Sequence, residues 1–242
     1  MEQHPTFIFD LDGTILDTLA DLASATNHAL DAYGLPPRSL AEVRQMVGNG
    51  VRRLMLRAVH EPLSPDGGRT WVEEPVTAYA DGTLHPQFEE ILTAFKSYYV
   101  THCRDNTRLY PGIATLLTGL QRRGCRLAVV SNKLQAGVTA LRNTYFAEWM
   151  EVAIGEREGI ARKPDPAMLY AAMEELGAEK TSTYYVGDSD VDILTAHRAG
   201  VPCISVLWGF RDRPFLERHV ATCLVEAPAD ILALLDAGEG KR

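Results

Sequence analysis

The chain has 242 residues, enough for one large domain or for a core with a smaller insert. Hydrophobic residues make up 46% of it, which excludes global disorder. The net charge is -8 and no run of Lys or Arg occurs, so a nucleic-acid partner is not expected. The sequence shows neither a signal-peptide pattern nor a long apolar stretch, which predicts a cytoplasmic protein with no membrane partner.

The first third of the chain begins with a strand and continues as helices. Residues 6–10 form a short apolar run that ends at Asp10, which predicts a buried strand. Apolar residues then recur at helical spacing over residues 19–33, 51–59 and 88–98. Residues 60–86 are rich in Pro, Gly and charge and are predicted to be irregular. The region between the first strand and residue 107 is therefore predicted to be all-helical.

After residue 110, strand and helix patterns alternate. Apolar runs at 126–130, 151–154, 183–186 and 201–206 predict strands, and helical patterns lie between them, one starting at about Lys133. This alternation is typical of a parallel sheet flanked by helices. The sequence predicts an α/β protein with a Rossmann-like core, formed by residues 1–16 and 108–242. An all-α domain of residues 17–107 is inserted after the first strand.

Ligands of parallel α/β sheets bind outside the carboxyl ends of the strands, so polar residues at predicted strand ends are candidate site residues. The first segment is Asp10-Leu11-Asp12-Gly13-Thr14. Clustered carboxylates repel one another and are naturally held by a hard cation. One of the two aspartates could attack a substrate while the other transfers protons. The alternative interpretation is a plain strand-to-turn connection, because Asp-Gly is a common turn dipeptide.

The second and third segments carry hydrogen-bond donors and a positive charge. Ser131-Asn132-Lys133 offers a hydroxyl and backbone amides at a predicted helix start, which is an anion site. Ser131 could equally be a helix N-cap. In Lys163-Pro164, the proline fixes the loop, and the lysine suits a contact with a phosphate oxygen and a carboxylate. The alternative for Lys163 is a solvated surface lysine.

The fourth segment, Gly187-Asp188-Ser189-Asp190-Val191-Asp192, places three acidic residues within five positions at a strand end. It is similar to a calcium loop, but the Gly and Glu that an EF-hand requires further along are absent. Asp188 is placed where it could complete a metal site with Asp10 and Asp12.

Together, the four segments resemble the motifs of the haloacid dehalogenase superfamily, in the same order. The matching runs are FDLDGT, VVSN, a lysine before proline, and VGDSDVD. The helical insert directly after the first motif resembles the type-1 cap of that superfamily. The resemblance covers nearly the whole chain, and it implies a Rossmann-like core with a mobile cap domain.

The resemblance implies a role for each motif residue. Asp10 is the expected nucleophile, forming an aspartyl-phosphate, and Asp12 is expected to protonate the leaving group and then to activate water. The expected cofactor is Mg²⁺, held by the Asp10 side chain, the main-chain carbonyl of Asp12, and Asp188. Dehalogenases of the superfamily lack the second aspartate, so Asp12 favours phosphate chemistry.

The remaining motif residues are expected to bind the substrate phosphate. Ser131, Asn132 and Lys163 would contact the transferring phosphoryl group, with Ser131 and Lys163 on its oxygens. Asp192 would orient Lys163 without itself contacting the substrate. This is phosphoryl transfer by positioning and charge neutralisation, divided into two steps by the covalent intermediate.

Within the superfamily, the local match is to phosphoglycolate phosphatases. It rests on LDGTILDTLADL, YGLPP, MVGNGVRRLMLRAV and TRLYPGI. This resemblance implies 2-phosphoglycolate as the substrate. The cap residues expected at the substrate are Gly48, Asn49, Arg52 and Arg53. The two arginines could instead be solvated helix residues, and residues 60–86 depart from the usual cap.

Other activities share these motifs. A sugar-phosphate phosphomutase similar to β-phosphoglucomutase has the same four, and a phosphatase acting on nucleotides or pyrophosphate is a further alternative. A catalytically silent phosphate-binding protein would require the loss of a motif residue, and none is lost. The expected partner is a small phosphorylated metabolite, and the sequence leaves monomer and homodimer open.

Overall fold

A computed structural model of the chain describes residues 4–60 and 85–239. The predicted irregular segment 60–86 lies almost entirely outside the described residues. In chain order the elements are β1 (Thr6–Phe9), β2 (Leu16–Asp17), α1 (Leu19–Asp31), α2 (Leu40–Met46), α3 (Val51–His60), α4 (Phe88–His102), β3 (Arg108–Leu109), α5 (Ile113–Arg122), β4 (Arg126–Leu134), α6 (Gln135–Tyr145), β5 (Val152–Glu156), α7 (Ala167–Leu176), β6 (Thr183–Gly187), α8 (Asp190–Ala199), β7 (Cys203–Val206), α9 (Arg213–Arg218), β8 (Leu224–Val225) and α10 (Pro228–Glu239). In the part of the chain that the structure covers, no helix has the length and apolar character needed to span a bilayer.

The chain divides into two compact units. The core unit consists of Met1–Asp17 and Arg108–Arg242, and the helical unit is Thr18–Thr107. The first boundary falls one residue later than the sequence analysis placed it, and the second falls at the same position.

The core unit is built on a six-stranded sheet with the order β5-β4-β1-β6-β7-β8. All of its strand pairs are parallel. The alternation of strands and helices therefore predicted the α/β class correctly. Strand β1 lies between β4 and β6, so its carboxyl end is flanked by those of both neighbours.

Both faces of this sheet are buried. Side chains alternate between the faces of a strand, so Phe7 and Phe9 of β1 join one hydrophobic cluster and Ile8 joins the other. The first cluster includes residues of α5, α6 and α10, and the second includes residues of α7 and α8. Burial on both faces accounts for the continuous apolar runs that predicted these strands.

Strand β4 corrects one prediction. It continues through Ser131–Lys133 to Leu134, and α6 begins only at Gln135. The predicted helix start at about Lys133, and the interpretation of Ser131 as an N-cap, are both wrong. The pairing with β5 shifts register after Val130 and resumes between Leu134 and Glu156. Pairing this far along is possible because Gly155 has no side chain: an added Cβ would lie 2.7 Å from the Lys133 carbonyl oxygen.

Several elements had no counterpart in the sequence analysis. Strands β2 and β3 form a two-stranded antiparallel ribbon in the core unit, with Leu16 opposite Leu109 and Asp17 opposite Arg108. The others are α2, α9, β8 and α10. Each is short or lacks a strong hydrophobic period, which is the signal on which the predictions depended.

The helical unit forms α1 to α4, and residues 18–60 and 85–107 contain no strand. The all-helical prediction is therefore confirmed for the described part of the insert. Helix α2 begins with a capping box, in which the Glu42 amide donates to Ser39 Oγ at 3.2 Å and the Ser39 amide donates to Glu42 Oε2 at 2.8 Å.

Candidate active site

Three carboxylates meet at the carboxyl ends of β1 and β6. Asp10 follows β1 directly, and its amide donates to the Val186 carbonyl of β6 at 2.8 Å. Asp188 follows β6, and Asp192 lies on the first turn of α8. Oxygen atoms of the three side chains lie within 4.8 Å of one another, and all three residues are buried. The structure thus brings together residues that are about 180 positions apart in the sequence.

Lys163 lies at the centre of this acidic group. Its Nζ donates to Asp10 Oδ1 at 2.7 Å, to Asp192 Oδ1 at 2.8 Å and to the Tyr185 hydroxyl at 3.0 Å. Its side chain is only 2% exposed, so the interpretation as a solvated surface lysine is wrong. The Asn132 side-chain amide donates to the Lys163 carbonyl at 2.9 Å and so fixes the loop that carries the lysine.

Tyr185 and Ser189 belong to the same network and were not predicted. The Tyr185 hydroxyl donates to Asp192 Oδ1 at 3.0 Å, and Ser189 Oγ donates to Asp192 Oδ2 at 2.6 Å. Burial, followed by the charge of Asp192, raises the pKa of Tyr185 well above its ordinary value, so the phenol stays a donor. In the sequence Tyr185 is one more residue of an apolar strand, and a buried tyrosine there is expected to be packing.

The charges of this group are not balanced. Burial raises the pKa of Asp10 well above its ordinary value, although the Lys163 charge opposes the rise. Burial and then the Asp192 charge raise the pKa of Asp188 to about 7, against the lowering influence of the Phe210 amide and Arg211. Burial alone would lower the pKa of Lys163, but the charges of Asp10 and Asp192 outweigh it and raise the value. One lysine is thus too little positive charge for three buried carboxylates.

The excess of negative charge in this group bears on whether a metal ion fits the site. A cluster of carboxylate oxygens that is short of positive charge is the donor set that a hard divalent cation such as Mg²⁺ prefers. The pKa values of Asp10 and Asp188 are raised, so these two carboxylates gain most from a nearby cation. The Asp192 oxygens accept hydrogen bonds from Lys163, Tyr185 and Ser189. The residues present therefore fit the predicted cation.

Asp188 is wedged between backbone segments. The Phe210 amide donates to Asp188 Oδ2 at 2.6 Å. A Cβ added at Gly13 would lie 2.4 Å from Asp188 Oδ2, and one added at Gly209 would lie 2.3 Å from Asp188 Cβ. Gly13 also has φ +89°, which disfavours any other residue. The loop of residues 207–210, which follows β7, was not identified from the sequence as part of the site.

A second lysine, Lys133, contacts both Asp12 and Ser131. Lys133 Nζ donates to both carboxylate oxygens of Asp12, at 2.9 and 3.1 Å, and the Lys133 amide donates to Ser131 Oγ at 3.2 Å. Because its carboxylate is paired with Lys133, Asp12 would contribute to a metal site through its main-chain carbonyl, as the sequence analysis expected. No role for Lys133 was predicted from the sequence.

The predicted cap residues all lie in the helical unit. Gly48 and Asn49 are in the turn between α2 and α3, and Arg53 is a partly exposed residue of α3. Arg52 makes a two-pronged ion pair with Glu89 of α4, at 2.9 and 2.6 Å, and its guanidinium carbon lies 5.1 Å from the centre of the Phe88 ring. Arg52 therefore has a structural partner within its own unit, and substrate binding by the four cap residues stays a prediction.

Comparison with known proteins agrees with this geometry. Residues 7–206 match the haloacid dehalogenase-like hydrolase family. Phosphoglycolate phosphatase 1 of Pseudomonas aeruginosa is 32% identical over 231 residues, which are 95% of this chain and 79% of that protein. The phosphoglycolate phosphatase of Agrobacterium fabrum is 34% identical, over 88% of this chain and 84% of that protein.

Solved structures of similar proteins superpose on this chain. A crystal structure from Lactobacillus delbrueckii subsp. bulgaricus superposes with a TM-score of 0.85 at 34% identity, covering 95% of this chain and 97% of that one. A predicted phosphoglycolate phosphatase from Haemophilus somnus superposes with a TM-score of 0.80 at 28% identity, covering 97% and 99%. The family resemblance of the four motifs is confirmed: the chain belongs to the haloacid dehalogenase-like hydrolase family.

Proposed function

We propose that the protein is a Mg²⁺-dependent phosphatase that hydrolyses 2-phosphoglycolate through an aspartyl-phosphate on Asp10. The observation that carries the proposal is the buried group of Asp10, Asp188, Asp192 and Lys163 at the carboxyl ends of β1 and β6. A buried nucleophile beside a fixed lysine and an unbalanced acidic cluster suits the transfer of a dianionic phosphoryl group. The substrate is proposed from the phosphoglycolate phosphatases among the relatives.

In the first half-reaction, Asp10 attacks phosphorus with one carboxylate oxygen and Asp12 donates a proton to the departing alcohol. Lys163, held by Asp192, contacts the phosphoryl oxygens together with Ser131 and offsets the charge that they bring. Attack requires ionised Asp10, and burial opposes that state. Asp10, Asp188 and the Asp12 carbonyl would hold Mg²⁺, which would supply the positive charge that favours the ionised nucleophile and neutralises the transferring group.

In the second half-reaction, Asp12 accepts a proton from a water molecule, which then attacks the phosphorus of the aspartyl-phosphate. The Asp10 carboxylate is regenerated and inorganic phosphate leaves. Lys163 again contacts the phosphoryl oxygens, and Asp192, which is fully buried, keeps the lysine in place. The same aspartate thus serves as acid in one step and as base in the next.

The test is a phosphatase assay over a panel of substrates: 2-phosphoglycolate, 3-phosphoglycerate, glucose 6-phosphate, β-glucose 1-phosphate, a nucleoside monophosphate and pyrophosphate. Each is assayed with Mg²⁺, with excess chelator and with Ca²⁺, and Asp10→Asn is the control for contaminating activity. We expect kcat/KM to be highest for 2-phosphoglycolate. Activity should vanish in chelator, return with Mg²⁺ and stay low with Ca²⁺, which has looser coordination. Asp10→Asn should lower it by several orders of magnitude.

Each part of the proposal can fail separately. Full activity in excess chelator would contradict the metal, and near-native turnover by Asp10→Asn would contradict the nucleophile. A higher kcat/KM for a nucleotide or pyrophosphate would move the protein to another phosphatase class. Interconversion of β-glucose 1-phosphate and glucose 6-phosphate, without release of phosphate, would identify a phosphomutase.

A further inference from the structure

The core unit contains a second buried lysine beside the candidate catalytic residues. Lys133 pairs with Asp12 through both carboxylate oxygens, as described above, and the two side chains are only 4% and 14% exposed. A charge-assisted pair that holds both oxygens fixes the plane of the carboxylate as well as its position. The two lysines therefore contact different aspartates: Lys163 contacts Asp10 and Asp192, and Lys133 contacts Asp12.

The backbone around Lys133 is fixed independently of this pair. Gln135 spans the edge of the sheet: its Oε1 accepts from the Gly155 amide at 2.7 Å, and its Nε2 donates to the Ala153 carbonyl at 3.1 Å. The absence of a side chain at Gly155 lets β5 approach the Lys133 carbonyl. At Gly137 an added Cβ would lie 3.4 Å from Lys133 Cγ and Cδ, so the first turn of α6 lies close to the lysine side chain. The lysine thus extends toward Asp12 from a rigid strand end.

We propose that Lys133 is a positioning residue that orients the carboxylate of Asp12 for proton transfer to the leaving group and from water. This inference rests on the acid–base role given to Asp12 under the proposed function. Proton transfer is efficient only when the carboxylate oxygen lies within hydrogen-bond reach of the atom that receives the proton. The carboxylate of an aspartate can rotate about the Cβ–Cγ bond, so a partner is needed to hold its orientation. In the described structure Lys133 donates to both carboxylate oxygens of Asp12.

The proposal predicts a particular dependence on the leaving group. Lys133→Met keeps an unbranched apolar side chain as far as Cε and removes the ammonium group. We expect it to lower kcat/KM for 2-phosphoglycolate by about 10- to 100-fold, the cost of a misplaced catalytic group. For para-nitrophenyl phosphate, whose leaving group departs with little help from an acid, the loss should be much smaller. KM should change little, because Lys133 does not hold the phosphoryl group in the proposed mechanism, and Lys133→Arg should recover part of the loss.

The decisive experiment is a double-mutant cycle of Lys133→Met and Asp12→Asn, with 2-phosphoglycolate as the substrate. If Lys133 acts through Asp12, adding Lys133→Met to Asp12→Asn should cost no more than about twofold. Lys180→Met is the matched control, because Lys180 is a lysine of the core unit whose contacts are with Tyr170, and it should leave every constant unchanged. Thermal unfolding of each variant checks that it is folded.

The outcomes separate this proposal from the proposed function. Equal fold-losses from Lys133→Met with and without Asp12 would overturn the positioning role, and so would an unchanged kcat in Lys133→Met. Near-native activity of Asp12→Asn by itself would instead contradict the acid–base role of Asp12. Should Lys133→Met fail to fold, the same cycle with Lys133→Gln decides the question, because that variant also lacks the ammonium charge and its side-chain amide can still form hydrogen bonds when buried.

Discussion

The two units of the protein bury charged side chains in opposite ways. In the core unit, buried carboxylates face one another and a lysine, and burial raises the pKa of Asp10 and Asp188. In the helical unit, buried charges are satisfied by neighbouring amides and carbonyls. Asp21 accepts hydrogen bonds from the amides of Asn106 and Thr107, from the Asn106 side chain and from the Thr107 hydroxyl, at 2.8–3.1 Å.

A buried ion pair of the helical unit shows the same pattern. Arg38 donates to the Ala58 carbonyl at 2.8 Å and to Glu42 Oε1 at 3.3 Å, and Glu42 accepts from the amide and hydroxyl of Ser39. Burial opposes ionisation of Glu42, but the hydrogen bonds from Ser39 and Arg38 prevail and lower its pKa. The contrast shows that burial alone does not identify a charged residue as functional. What distinguishes the core site is that its charges are left incompletely compensated.

The largest expected effect concerns Asp21, a buried charge of the helical unit that is satisfied by hydrogen bonds. Asp21→Ala removes the acceptor for four donor groups around the buried Thr107 and the neighbouring Asn106. We expect it to lower the free energy of unfolding by about 3–5 kcal/mol, as when one partner of a buried charged network is removed. At temperatures where the variant is folded, kcat should stay near that of the unchanged protein. Chemical denaturation and initial-rate assays measure the two quantities, and a large fall in kcat with normal stability would show that Asp21 is not merely structural.

An effect of intermediate size is expected for Asp188, a buried charge of the core site. It is measured as the dependence of stability on pH. The pKa of Asp188 is about 7 in the folded protein and 3.8 as a free reference, so between these values the folded state binds more protons than the unfolded state. The contribution of Asp188 to stability is therefore full below about pH 4 and is lost as pH rises through 7. In chelator, Asp188→Asn should become more stable relative to the unchanged protein over this range, by about 1–3 kcal/mol.

Glu42→Gln is the matched control for this pH experiment. The pKa of Glu42 is lowered in the folded protein, so its contribution to stability is present above its unfolded pKa and is lost on acidification below that value. The two difference curves should thus lie in separate pH windows and have opposite signs. A pH-independent difference for Asp188→Asn, measured by denaturation with urea, would contradict the uncompensated burial of Asp188.

The smallest expected effect concerns the exposed pair of Arg52 and Glu89. Arg52→Ala removes an ion pair between side chains that are 45% and 64% exposed, and such pairs add little to stability. If Arg52 serves only to join α3 to α4, the ratio of kcat/KM for 2-phosphoglycolate to that for para-nitrophenyl phosphate should stay unchanged. A lower ratio would return Arg52 to the substrate contacts that the family resemblance implies, and Arg53→Ala gives the parallel measurement.

Much of the fold followed from the sequence because the core strands are buried on both faces. Their apolar runs were visible, and the alternation with helices indicated a parallel sheet. The ribbon of β2 and β3 was not predictable in this way, since it joins two-residue strands that are about 90 positions apart. Likewise, the extension of β4 through Lys133 depends on the missing side chain of Gly155, a tertiary contact with no local pattern.

The candidate site followed from the sequence to a similar extent. Asp10 and Asp188 were found because polar residues after apolar strands are conspicuous, whereas the roles of Lys163 and Asp192 came from the family resemblance. The structure brings the four side chains together. Tyr185 was missed because its hydroxyl projects from a core strand. Lys133 was missed because a lysine after a strand has no distinguishing pattern until its partner is known.

The close contacts of Gly13 and Gly209 with Asp188 have a consequence for attempts to give this scaffold new activities. At either position even a methyl group would displace the carboxylate, so both are effectively closed to variation in a directed-evolution library. Random changes there should yield inactive clones whatever the substrate offered. Productive diversity is therefore expected at positions that do not touch the acidic group, and a library designed with these two codons held constant would waste fewer of its members.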